Sequence, residues 1–248
     1  MVGSFGRGIG KNNYRIANGN APTWTPADWG ADRLLDYTSD DVVVNAGKVE
    51  YWVDQSPSGV NATQTNAALR GAYVASHPAL NGKPTVQMTY SPANTVYNRA
   101  AIPGVTNQSM FLIIDRIATQ AYEYMLYSPV VMAYQMKCYP NLSTIGVYTP
   151  GSGHNPITGA TQILGAQSLI ISVDATGGQV YAYRAGALIG SKANVAGSLN
   201  GAIKIFGGGA ATDVLRNTHI GRCVVLNRAA TVDDIANWSA WTLAEYGI

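Results

Sequence analysis

Ser168-Leu169-Ile170-Ile171-Ser172-Val173-Asp174, then Ala175-Thr176-Gly177-Gly178, then Gln179-Val180-Tyr181-Ala182-Tyr183-Arg184 is the stretch that decides the fold class. Two runs rich in β-branched and aromatic residues flank a turn built from Thr and two glycines, which is the chemistry of a β-hairpin. In the second run a period of two puts Val180 and Ala182 on one face and Tyr181 and Tyr183 on the other.

Working outward, similar runs punctuated by Gly, Pro, Asn and Asp predict strands at Val42–Val44, Val49–Val53, Thr85–Thr89, Met110–Asp115, Val130–Gln135, Thr144–Tyr148, Ala202–Phe206 and Ile220–Leu226. Short strands, tight turns and no alternation with helices argue for an all-β sandwich or jelly roll. One helix is predicted, at 231–246. Thr231 can cap it, Asp234 completes a capping box, and Asp233 and Asp234 suit the positive end of the helix dipole. Ile235, Trp238, Thr242 and Tyr246 recur at helical spacing, and Gly247 stands where a left-handed C-cap belongs. Trp238 and Tyr246 are expected to pack this helix onto the sandwich.

Composition narrows the function classes. The 248 residues carry 16 Lys+Arg against 14 Asp+Glu, a formal +2, and only 12% are charged while 47% are apolar. That balance excludes general disorder. The basic residues are scattered singly, whereas phosphate backbones need them clustered, so nucleic acid is not an expected partner. The length suits one large domain that needs neither disulfide nor metal to fold. Cys138 and Cys223 read as buried apolar thiols, and His77, His154 and His219 lack the paired spacing of a zinc site. Met1–Arg7 shows no apolar leader, and no apolar run approaches the roughly 18 residues that span a bilayer, so a soluble, intracellularly made chain is expected.

Residues 1–30 stand apart. Gly3, Gly6, Gly8, Gly10 and Gly19 alternate with polar residues, and Pro22 and Pro26 bracket Trp24. Such a segment buries too little apolar surface to offset the entropy of ordering glycine-rich backbone. It reads as an extended arm that docks on neighbouring subunits through Phe5, Arg7, Ile9, Tyr14 and Trp24, leaving 31–248 as the sandwich.

Catalytic patterns are missing. Glu50, Glu123 and Glu245 are isolated, Asp40 and Asp41 point to opposite faces, and the helix cap accounts for Asp233 and Asp234, so no carboxylate pair for glycoside hydrolysis is expected. Gly151-Ser152-Gly153-His154 reads as a Pro-flanked loop rather than a nucleophile elbow, and Gly207-Gly208-Gly209 as a turn rather than a phosphate loop. Asp54-Gln55-Ser56-Pro57-Ser58-Gly59-Val60-Asn61 could offer oxygens to a structural Ca²⁺, but a single carboxylate favours Asx and Ser turns. No catalytic, metal or cofactor residue is therefore assigned. The aromatic inventory, 15 Tyr and 5 Trp against 3 Phe, crowds Tyr122, Tyr124, Tyr127, Tyr134, Tyr139 and Tyr148 into the middle of the chain. Amphipathic rings in that number suit either a subunit interface or a sugar-stacking platform.

Several segments together resemble the concanavalin A-like (laminin-G-like) jelly-roll domains of tailed-bacteriophage structural proteins. They are Pro26-Ala27-Asp28 with Leu34–Asp40, then Lys48–Ser56 with Gly59, Asn61, Ala62, Thr63 and Gln64. Asn81–Val86 and the closing run from Ile220 through Arg228 to Ile248 complete the set. The resemblance rests on roughly 26–90 and 219–248 and carries no binding residue with it. It implies a concanavalin A-like jelly-roll sandwich with an extended N-terminal arm and one C-terminal helix. The function it implies is a non-enzymatic virion component, a capsid decoration, minor capsid, neck or tail protein, made in the host cytoplasm. Its partners would be other virion proteins and further copies of itself, trimers being common among such appendages. The alternative is a carbohydrate-binding adhesin for host surface glycans. A polysaccharide depolymerase is a third reading, against which the missing carboxylate pair counts.

Overall fold

The computed structural model describes residues 23–88, 97–117, 123–127, 135–139, 144–149, 153–161, 163–193, 199–206 and 217–248. Its strands are β1 (Arg33–Asn45), β2 (Lys48–Asp54), β3 (Ala62–Thr63), β4 (Ala72–Val74), β5 (Thr85–Met88) and β6 (Tyr97–Val105). Then come β7 (Gln108–Arg116), β8 (Glu123–Tyr127), β9 (Gln135–Tyr139), β10 (Thr144–Thr149) and β11 (Gly153–Thr161). The last are β12 (Gly165–Asp174), β13 (Gln179–Arg184), β14 (Ala187–Ala193), β15 (Leu199–Ile205) and β16 (Thr218–Leu226), followed by helix α1 (Val232–Tyr246).

Hydrogen-bonded neighbours run β1-β16-β5-β4-β2-β3-β6-β15-β8-β9-β10-β11-β14-β13-β12-β7, and β7 pairs back onto β16. The result is a β-sandwich with one C-terminal helix. The β12–β13 hairpin forms in the register its sequence dictates, Asp174 opposite Gln179, and Gly177 N donates to the Asp174 carboxylate at 2.8 Å. Val180 and Ala182 point into the core while Tyr181 and Tyr183 lie on the other face. Strand β1 is longer than the sequence suggests. Its first half pairs with β16 and its second half with β2, and the register shifts between Tyr37 and Val42 where it changes partner.

Strand β7 explains the layering, because all nine of its residues are buried. Met110, Leu112 and Ile114 join Leu169, Ile171, Val173 and Val225 between the two layers of the sandwich. Phe111 and Ile113 face the other way, with Ile170, Val224 and Leu226, into a second apolar cluster. That second cluster is roofed by α1 through Ile235, Trp238, Trp241 and Tyr246. The helix forms as its sequence predicts, with the Thr231–Asp234 capping box and a left-handed Gly247 at φ 73°.

The roof has a second member from the other end of the chain. A 3₁₀ segment at Pro26–Asp32 drives Trp29 between Phe111 and Trp238, with ring centroids 4.5 and 5.8 Å away, and Trp24 meets Trp29 edge-on at 4.9 Å. Trp29 Nε1 donates to Asp234 Oδ1 at 2.7 Å, and Arg228 bridges Asp32 and Asp234 at 2.5 Å each. Burial works against ionising Asp234, but hydrogen bonds from Arg228, Thr231 and Trp29 outweigh it and hold the carboxyl at about 2. The sandwich therefore takes in residues 24–32, and Trp24, expected to dock on another subunit, packs within its own chain. Phe5, Arg7, Ile9 and Tyr14 lie outside the described residues.

Trp29→Ala should cost about 3–5 kcal/mol in urea unfolding, the usual penalty for a buried large aromatic. Deleting residues 1–22 should leave the midpoint near that of the full chain, whereas deleting 1–30 should lower it as Trp29→Ala does. Equal losses from both deletions would show that the domain boundary is misplaced.

Candidate functional site

The loop after β2 is held by its own atoms and by strand β1. Asp54 Oδ1 accepts from Asp36 N and Ser56 N at 2.9 and 3.0 Å, while Oδ2 accepts from Ser58 Oγ and Val60 N at 2.7 and 3.2 Å. The Ser56 bond is the Asx turn expected from the sequence, and with the others it commits the carboxylate to three backbone amides and a hydroxyl. Among the described residues no group of three His, Cys, Asp or Glu side chains could hold a metal ion. Cys223 is fully buried, and burial, with Asp36 nearby, raises its thiol pKa far above the ordinary value. Cys138 sits in β9, in register with Ile145 and Glu123.

The tyrosines of the middle region fall on neighbouring strands. Tyr124 and Tyr127 are in β8, Tyr139 is in β9 and Tyr148 in β10, three strands consecutive in the sheet. Tyr124 pairs with Lys137, Tyr127 with Lys204 of β15, and Tyr148 with both Gln135 and His154. Tyr139 pairs with Thr144 at the opposite end of β10 from Tyr148. Tyr122 and Tyr134 lie outside the described residues. His154, read from the sequence as a loop residue, belongs to β11, because pairing with β10 overrides the glycines and Pro156 around it.

A concavity of about 360 Å³ opens at the tip of the β1–β2 hairpin, and nothing in the sequence had marked it. Asn45, Ala46 and Lys48 line it from the hairpin, and Ala67, Ala68 and Arg70 line it from the 3₁₀ turn Ala67–Leu69. Asn66 caps that turn, its side chain accepting from Ala68 N at 3.0 Å. The Arg70 side chain is buried and fixed at both ends of its guanidinium. Its Nε donates to Gln64 O at 2.9 Å, and Nη2 lies 3.3 Å from Glu50 Oε1. Asn45 Nδ2 donates to the other Glu50 oxygen at 3.4 Å. Lys48 is exposed at the rim. The lining residues are split between positions 45–48 and 67–70, so only the pairing of β2 with β3 and β4 brings them together.

A histidine pair lies at another edge. His77 Nε2 is 2.7 Å from Asp115 Oδ2, its ring stacks on His219 at 4.0 Å, and His219 Nδ1 is 2.9 Å from Thr85 Oγ1. Burial, then the neighbouring His77, push the His219 pKa below its ordinary value, and Asp115 opposes them. The four residues clamp the loop before β5 to β7 and β16.

No protein-family model matches the chain, and no curated protein matches it in sequence. Solved structures do match in shape. Domain 4 of AbnA, a GH43 extracellular arabinanase from Geobacillus stearothermophilus in complex with arabinotriose, matches at TM-score 0.61 and 12% identity over 85% of this chain and 99% of that one. The botulinum neurotoxin type G receptor binding domain matches at TM-score 0.59 and 11% identity, over 84% of this chain and 51% of that one. Trypanosoma rangeli sialidase matches at TM-score 0.54 and 12% identity over 87% of this chain. The chain thus spans about a third of the sialidase, 33%, and about half of the toxin domain. At these identities the likeness is one of fold, a shared β-sandwich.

The histidine pair sets a pH dependence. A His219 pKa below the ordinary 6.5 means the unfolded chain binds more protons as pH falls through that value, so stability declines with acidification there. The urea midpoint should fall between about pH 7.5 and about pH 5, and fall less in His219→Asn, which takes up no proton. Identical pH profiles for the two proteins would contradict this assignment.

Proposed function

We propose that the chain is a carbohydrate-binding module of jelly-roll type that holds a glycan without cleaving it. The observation that carries this reading is the match to the arabinanase domain. It covers 99% of that domain, so the part in common is a whole unit whose structure is a complex with arabinotriose. The sialidase and the neurotoxin extend well beyond their matched portions. The register supports the same reading, since Tyr124, Tyr127 and Tyr148 stand beside Lys137, Lys204 and His154 on adjoining strands. Aromatic faces stack on sugar C–H surfaces while polar neighbours bond hydroxyls.

Binding without cleavage is favoured because several of the described carboxylates are engaged elsewhere. Arg33 and Arg222 hold Asp36, Arg228 holds Asp234, Lys83 holds Glu245, and backbone amides hold Asp54. Glycoside hydrolysis instead needs two carboxyls facing one bond. The resemblance of both chain ends to phage jelly rolls adds a setting, a binding head displayed on a virion and assembled with other copies through residues 1–22.

The full chain should bind oligosaccharides, arabino-oligosaccharides among them, on a densely printed array where multivalency offsets weak single sites. It should release no reducing ends from them. Silence across the array would refute the reading, and released sugar would turn it into a depolymerase. For the setting, particles assembled with a chain lacking residues 1–22 should fail to incorporate it, and normal incorporation would remove the virion anchor.

A further inference from the structure

We infer that the concavity at the β1–β2 hairpin tip binds a sugar residue carrying a carboxylate, such as a uronic or nonulosonic acid; this rests on the carbohydrate-binding reading and names a ligand class and a site for it. It is an open concavity of about 360 Å³, wide enough to seat a single sugar ring from solvent.

Charge selects the ligand. Lys48 and Arg70 line the concavity, and the carboxylate of Glu50 beside Arg70 offsets one of the two cations. One net positive charge remains, the complement of a monoanion. Arg70 is held by Gln64 and Glu50, so its planar fork is already ordered before a ligand arrives and little side-chain entropy is lost on binding. Lys48 takes part in none of the ion pairs among the described residues, and its exposed ammonium is free to meet the anion. Asn45 adds an amide. The rest of the lining, Ala46, Ala67 and Ala68, is a set of methyl groups suited to the C–H face of a sugar ring.

Ala46 sets how much of the concavity stays open. It stands at φ 50° with Gly47 at φ 75°, so both central residues of the hairpin turn are left-handed. The first position of such a turn strongly favours Asn, Asp or Gly, and an alanine there is strained. An asparagine would relieve the strain, but its longer side chain would start from a position that lines the concavity. The β13–β14 hairpin turns on the same left-handed Ala-Gly pair, Ala185 at φ 45° and Gly186 at φ 78°, so the alanine is a turn choice shared by both hairpins; at position 46 its short side chain leaves the space open.

The test uses the full chain, with trigalacturonate and N-acetylneuraminate as probes, the neutral galactose trimer as their uncharged counterpart, and inorganic phosphate as competitor. Calorimetry should detect both acidic probes binding at least about tenfold more tightly than the neutral trimer, a difference that shrinks with added salt. Ala46→Asn should keep or raise the thermal midpoint and yet weaken the acidic probes about tenfold or more. Lys48→Gln should abolish the preference for the acidic probes over the neutral trimer. Unchanged binding of the acidic probes in Ala46→Asn, or no preference for them in the wild type, would overturn the site while glycan binding elsewhere upheld the broader reading. Phosphate competing as well as the uronate would overturn the sugar in favour of a general anion site. Absence of all glycan binding would overturn both.

Discussion

Strands β7, β12 and β16 present apolar side chains on both faces, and that constraint organises the molecule. One face closes the sandwich interior; the other would leave Phe111, Ile113, Ile170, Val224 and Leu226 in water unless something covered it. Helix α1 and Trp29 are the cover, and each comes from an opposite end of the described chain. Asp234 ties them, accepting from Trp29 Nε1, pairing with Arg228 and capping its own helix. One carboxylate thus joins the start of the fold to its end, which is why the burial that opposes its ionisation is outweighed.

Away from that doubly covered sheet the molecule is more open. The β1–β2 hairpin projects beyond the β16 pairing, its tip exposed throughout residues 44–48, and the turn after β3 packs beside it. A rigid framework carrying a concave rim is the usual arrangement for ligand sites, because the framework supplies geometry and the loops supply chemistry. Low charge suits the same division. With few charged side chains overall, Lys48 and Arg70 at one rim leave a local excess of one cation after Glu50 is counted.

Legibility tracked how local the determining forces are. The β12–β13 hairpin and α1 were readable because a two-glycine turn, a capping box and a C-cap glycine act within a few residues. The Asp54 turns were readable for the same reason. Strands β6, β11 and β14 were not, since Pro103, Pro156 and Gly190 interrupt their patterns and only pairing with neighbours holds them extended. Strand β1 was read as two pieces because its halves serve different partners. At the site, the tyrosines could be nominated from composition, but their strand register with Lys137, Lys204 and His154 could not.

From the sequence alone came the all-β class and the C-terminal helix with its boundaries. Those follow from short-range periodicity and turn chemistry, which need no knowledge of what packs against what. Tertiary structure alone decided that residues 24–32 belong to the domain, that His77 meets His219, and that Lys48 and Arg70 share a concavity. Each of these joins residues far apart in the chain through antiparallel pairing or core packing, and a linear reading has no term for such contacts.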